Sequence, residues 1–399
     1  MILYEKHGHK PPRVDAPTSF ATKTTKELYT FAKSILDEWD DCARIKQKNC
    51  LVALSGIVNT MDEETRQNCT ASSVIVDHCH DKDFFTVTES QKQVYGDIKR
   101  VLGSGTLKEL RDLRRYCSRH YNNLEEVSDN GGWPPDEVGE NDEKLKIMRL
   151  MEFICSEMMS TEQITKTSEH EDVFVWRGLA RILYDHDLVV RVGELGATAT
   201  RHDRVAVENE FGGKESNVRS RKIDLMHQLC LQGRQKALEM IAWEAKSDGT
   251  AADALQAQLR KNIRINASIM NKLSPYLGTD FPRPSPMVLD IVGSRALVYM
   301  VSKIEPRIFG AAAVMNRMIE LPTSPVTIAD FLDGGHMSAL LRIGFHNSKF
   351  ASLVKDGYKK ALNQEVMAKM TGAAGVRNEE PPAIFTPSKK RVRHYRMQV

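Results

Sequence analysis

From residue 168 to residue 350 helix-like and strand-like stretches take turns, and a chain that alternates in this way has few folds open to it. Glu171 to Tyr184 carries apolar side chains at helical spacing. Leu188-Val189-Val190-Arg191-Val192 is rich in β-branched residues and reads as a strand. Lys222 to Met226 and Ala237 to Lys246 read as two more strands. The stretch Ala251 to Leu277 places Leu255, Leu259, Ile263, Ile269 and Leu273 at helical intervals and predicts a long helix. Pro282 and Pro284 break the chain, and Met287 to Val292 with Leu297 to Val301 read as a strand pair around Gly293-Ser294. The pattern predicts an α/β unit.

The rest of the chain has a different texture. Residues 1–22 are polar and interrupted by Pro11, Pro12 and Pro17, so a loose arm is expected. Residues 23–165 read as a mostly helical region. The run Glu27 to Leu36 is its clearest helix, with Thr24 or Thr25 as the cap, and Ser128 to Pro135 is a breaker-rich surface loop. Residues 351–371 predict a C-terminal helix. Residues 372–399 contain Pro381, Pro382 and Pro387 ahead of Lys389-Lys390-Arg391-Val392-Arg393, so a disordered basic tail is expected. With 41% apolar and 27% charged residues among 399, the chain can bury a sizeable core. The net charge of +3 says little about partners, because a nucleic-acid surface is basic locally rather than globally. No apolar run approaches the ~18 residues of a membrane span, so no membrane is expected as a partner. Met1 to Pro12 has no apolar stretch of the secretory kind. The seven cysteines are scattered without a Cys-x-x-Cys, which favours a reducing compartment.

The chemistry concentrates in Ile241-Ala242-Trp243-Glu244-Ala245-Lys246. Side chains on a strand alternate between faces, so Ile241, Trp243 and Ala245 share an apolar face while Glu244 and Lys246 share the other. A carboxylate beside an ammonium suits metal-assisted phosphodiester hydrolysis. The carboxylate holds a hard divalent cation, the cation lowers the pKa of a bound water, and the lysine orients that water. One strand earlier, Asp224 lies between Ile223 and Leu225 and faces away from the core by the same alternation. Pairing of the two strands would bring two carboxylates to one metal.

Arg221-Lys222-Ile223-Asp224-Leu225, then Glu244-Ala245-Lys246, then a helix with Gln258-Leu259-Arg260-Lys261-Asn262, resembles the PD-(D/E)XK, or restriction-endonuclease-like, nuclease superfamily. In detail it is similar to eukaryotic, chiefly fungal, members that carry a helical N-terminal region. The resemblance covers roughly 168–325 and implies a mixed central sheet flanked by helices in the order α-β-β-β-α-β. It implies Asp224 and Glu244 as ligands of magnesium or manganese and Lys246 as the residue serving the nucleophilic water. An acidic residue on the preceding helix is implied as a further ligand, with Glu171 first, then Glu169, and Glu194 after the first strand as a third candidate. Gln258 and Lys261 are the candidates for reaching a substrate phosphate, with Arg221 and Lys222 beside them. The literal Pro-Asp of the family is absent, since Ile223 precedes Asp224. A Glu-x-Lys triplet is weak by itself; its place at the end of an apolar strand, after an Asp-bearing strand and before a helix, makes the joint pattern informative. The rival reading is a catalytically silent interaction or effector protein on the same fold.

Three weaker signals remain. Asp77-His78-Cys79-His80-Asp81 is dense in metal-ligating types, but consecutive residues diverge and no second pair exists, so a polar turn is expected. Arg201, Arg204, Arg219, Arg221 and Lys222 either line a phosphate-tracking groove or form an ordinary solvated loop around Gly212-Gly213. The run Lys389 to Arg393 reads as a nuclear localisation signal; without import the chain would be cytoplasmic. The partner expected is nucleic acid, DNA first, with a protein partner recruited through the helical N-terminal region.

Overall fold

Helix α1 (Lys23–Asp37) starts where the Thr22 side chain accepts from the Thr25 amide, one of the donors a helix start leaves without an internal partner. The computed structural model describes residues 22–129, 138–161, 169–184, 188–210, 220–231 and 237–371. The expected arm, the Trp133 loop, Gly212-Gly213 and the basic tail lie outside the described residues.

The N-terminal region continues with α2 (Arg44–Ala53), strand β1 (Ile57–Asn59), α3 (Glu63–Asn68), α4 (Ser72–Cys79), α5 (Glu89–Leu102), α6 (Leu107–Asp129) and α7 (Val138–Thr161). Helix α5 opens on a capping box between Thr88 and Gln91. Asp77, His78 and Cys79 form the last turn of α4 rather than the expected turn, because Cys79 is drawn into the core at 2% exposure.

The second half runs α8 (Glu169–Leu183), β2 (Leu188–Ala197), α9 (Thr198–Glu210), β3 (Arg221–Cys230), β4 (Ala237–Lys246), α10 (Ala252–Leu273), β5 (Met287–Val292), β6 (Arg295–Glu305), β7 (Ile308–Ala313), β8 (Ile319–Glu320), α11 (Ile328–Asp333) and α12 (His336–Thr371). The protein is α/β, with an open mixed sheet flanked by helices and a helical region before it. From α8 to β5 the order is α-β-β-β-α-β with α9 inserted after the first strand.

That inserted helix replaces part of the loop expected around Arg201 and Arg204. Its start is held from a distance: Glu239 of β4 accepts from the Thr198 and Ala199 amides at 2.7 and 2.8 Å. A carboxylate at a helix N-terminus satisfies orphan donors and opposes the helix dipole. The expected C-terminal helix begins at His336 and runs unbroken through residues 351–371 to Thr371.

Eight strands follow the order β1-β7-β6-β5-β4-β3-β2, with β8 against β6. β2, β3 and β4 pair antiparallel, and β4 and β5 pair parallel. A parallel pair needs a crossover, which α10 supplies. β5, β6 and β7 return to antiparallel pairing, and β1 adds to β7 in parallel. The N-terminal region thus donates an edge strand to the same sheet. One continuous core holds Trp39 and Phe84 from that region with Trp176, Trp243 and Tyr299 from the second.

Helices cover both faces. α10 lies on β4, β5 and β6 with α2 beside it, and α8 packs against β2, β3 and β4. Trp176 of α8 donates its indole N–H to Gly293 O at 3.0 Å, tying the helix to the β5–β6 turn. Burial on both faces explains why Ile241, Trp243 and Ala245 are not the sole inward residues of β4: from Glu239 to Ala245 every residue is buried.

Candidate functional site

β4 changes partners along its length. Its first part pairs with β3 as far as Trp243 opposite Leu225; its last part pairs with β5 from Glu244 opposite Asp290 to Lys246 opposite Val292. Asp224 and Glu244 are the next residues after the last β3–β4 pair, so both stand at the fork where the strands part. The Asp224 side chain bridges that fork, its Oδ2 accepting from the Ala245 amide at 3.0 Å.

Strand alternation sets the faces. Ile223 and Leu225 are buried on the α8 side with Trp243, whereas Lys222 and Asp224 point to the α10 side with Glu244. On the α8 side His227 is packed against Tyr184 and Trp243, with ring centroids 5.1 and 4.2 Å away. Full burial lowers the His227 pKa to about 3, so it is a neutral core residue.

Glu244 is 3% exposed. Its Oε2 accepts from Lys261 Nζ of α10 at 2.7 Å, while Oε1 is buried with no hydrogen-bond partner among the described residues. Burial raises the Glu244 pKa to about 8; Lys261 pulls it down, and the neighbouring Asp224 and Asp290 charges push it up further. Asp290 is 6% exposed and stands opposite Glu244 in the parallel ladder. Its Oδ1 accepts from Gln258 Nε2 at 3.0 Å and Asn262 Nδ2 at 3.4 Å. Burial raises the Asp290 pKa to about 7, against those two hydrogen bonds and the Lys261 and Lys246 charges. Asp224, Glu244 and Asp290 therefore form a row across β3, β4 and β5, roofed by the polar side of α10.

The expected residues take distinct places. Lys246 is half-buried and donates to Ala245 O at 3.0 Å, with its charge felt at Asp290. Lys261 contacts Glu244 directly. Gln258 is turned inward onto Asp290, with 4% exposure. Arg221 and Lys222 open β3 opposite Ala197 and Gly196 of β2, on alternate faces. The side chains of Glu169, Glu171 and Glu194 lie outside the described residues; their backbones place Glu169 and Glu171 on the first turn of α8. Glu194 sits with Gly193 in a β-bulge of β2 that falls opposite Asp224, where Gly193 has φ 112°. Such a bulge re-aims a strand at a site rim.

Sequence reasoning missed Asp290 and Asn262. The signal for Asp290 was present: a lone carboxylate within Met287-Val288-Leu289-Asp290-Ile291-Val292 must find a partner if buried.

Among the described residues no group of three or more His, Cys, Asp or Glu has the arrangement of a metal site. The local fit to a hard cation rests on two carboxylates at the fork and on the unpartnered Glu244 Oε1, an oxygen of the type such ions take. No family model matches the chain, and no curated protein or solved structure matches it. No helix among the described residues is long and apolar enough to cross a membrane.

Proposed function

We propose that this chain is a metal-dependent nuclease of the PD-(D/E)XK type, hydrolysing phosphodiester bonds of nucleic acid, DNA first. The observation that carries the reading is Glu244: a deeply buried carboxylate beside Asp224 at a strand fork, with one oxygen on a lysine and the other unpartnered. A buried carboxylate oxygen left without a partner is costly, so its presence at a fork favours a ligand there. Asp224 and Glu244 hold magnesium or manganese in this reading, with a third ligand from Glu171, Glu169 or Glu194. The ion would supply an activated water and stabilise charge developing on the phosphate. Lys246, at the solvent end of β4, orients that water. Lys261 and Lys222, on the Asp224 face, draw the phosphate backbone in. The basic tail would carry the protein to the nucleus, and the helical N-terminal region offers a surface for a protein partner.

The test is cleavage of supercoiled DNA, linear DNA and RNA with magnesium and with manganese. Activity is expected in the wild type and is expected to fall at least a thousandfold, on the order of 4 kcal/mol of barrier, in the combined Asp224→Ala and Glu244→Ala variant. Both proteins should show the same cooperative unfolding. Undiminished cutting by the double variant would remove the assignment.

One feature favours the rival reading of a silent interaction or effector protein. Lys261 already neutralises Glu244, as a purely structural ion pair would. Calorimetry with magnesium separates the two: binding lost in Asp224→Asn supports the enzyme, and no binding at millimolar magnesium supports the scaffold.

A further inference from the structure

We propose that Lys261 is a built-in counter-ion for Glu244, which must release the carboxylate before a divalent cation can enter and which then turns to an incoming phosphate. The inference rests on the nuclease reading and deepens it, because it makes metal loading and substrate capture two states of one side chain.

The geometry supports this in three ways. First, the contact is direct: Nζ lies 2.7 Å from Glu244 Oε2, on one of the two carboxylates assigned to the cation. Second, the other acidic groups of the row are engaged differently. Asp224 Oδ2 accepts from the Ala245 amide, and Asp290 Oδ1 accepts from Gln258 and Asn262. Those donors are strand backbone and buried amides, which are fixed in place. Lys261 is the solvent-facing member of its pair, with 35% side-chain exposure against 3% for Glu244. Its four-carbon stem can swing outward without unpacking α10. Third, Glu244 Oε1 remains unpartnered and buried, so the ammonium satisfies only half of the carboxylate and its charge stands in the way of a second cation.

An ammonium and a divalent cation compete for the same charge. Removing the ammonium should therefore strengthen cation binding, and by linkage the cation should free the lysine for phosphate.

The experiment is a calorimetric magnesium and manganese titration of the full chain in mildly alkaline buffer, where protons compete least. Wild type, Lys261→Met and Lys261→Arg are compared, each first shown to unfold cooperatively. Lys261→Met is expected to bind the cation about tenfold more tightly than wild type. Lys261→Arg keeps the charge and is expected to keep the weaker affinity. Equal or weaker binding by Lys261→Met overturns the inference while leaving a metal site standing. Absence of binding in all three proteins defeats the metal-dependent reading itself, and the inference with it.

Discussion

Two acids with raised pKa values lie side by side at Glu244 and Asp290, and this sets a pH dependence that can be worked out in sign. Burial raises Asp290 from the ordinary carboxylate range to about 7. A carboxyl whose folded pKa is raised binds its proton more tightly when folded. Its stabilising contribution is complete in acid and is lost as pH climbs through the folded value. Without added metal, Asp290→Asn should therefore gain stability over wild type between pH 5 and pH 8, by an amount on the order of 2 kcal/mol at the upper end. The amide keeps an oxygen for Gln258 and Asn262 to donate to. Urea unfolding at several pH values checks this; parallel curves for the two proteins would sink it. At this scale the sequence was legible for Asp224, Glu244 and Lys246, because strand alternation alone assigns their face. For Asp290 the sequence shows only a lone carboxylate in an apolar strand; its place beside Glu244 comes from a parallel ladder formed 46 residues later in the chain.

Among the elements, α10 departs furthest from a simple amphipathic helix. Leu255, Leu259, Ile263, Ile269 and Leu273 are correctly read as helical, and the helix runs from Ala252 to Leu273 before a short 3-10 turn. Yet Gln258, Asn262 and Asn266, one turn apart, are all buried. Asn266 explains why an amide is needed. β5 pairs with β4 only from Glu244 onward, so the Ala242 N–H and C=O lack a strand partner on that side. Asn266 supplies both, accepting from the N–H at 3.0 Å and donating to the C=O at 2.9 Å. Asn347 of α12 performs the same service for Met287 at the start of β5. Asn266→Ala strands two buried backbone groups, each costing about 1–3 kcal/mol. A loss of about 2–4 kcal/mol in chemical unfolding is expected; a loss below ~0.5 kcal/mol, the range of a surface change, would refute the clamp.

Across the whole molecule, β1 and the surrounding helices are joined to the second half through one sheet and one core. Ile57, Val58 and Asn59 pair with Phe309, Gly310 and Ala311 of β7. α4 lies against the same strand so closely that a Cβ at Gly310 would meet Ile75 at 2.6 Å. Gly310 thus admits the helix to the strand. A fragment comprising residues 169–371 would expose the β7 edge and the core surface under α2, α4 and α5. It should be poorly soluble or lack a cooperative thermal transition by circular dichroism, whereas the full chain should show one. A fragment that unfolds cooperatively near the full chain's midpoint would show that the two halves are independent.

Local pattern was enough for the α/β class, the strands that carry Asp224 and Glu244 (though β3 runs on to Cys230, past the expected end at Met226), the long helix after them, and the face that Asp224 and Glu244 take. These depend on periodicities of two and 3.6 that neighbouring residues carry by themselves. Contacts between distant segments settled the rest. Glu239 caps α9 from another strand, β1 joins a sheet more than 200 residues away in sequence, and Lys261 lands on Glu244 because α10 crosses above β4. None of those partners lies within one helical turn or one strand of the residue it serves, so no local rule could have named them. The shared face of Asp224 and Glu244 follows from strand alternation, while the lysine that touches the glutamate is chosen by the crossover.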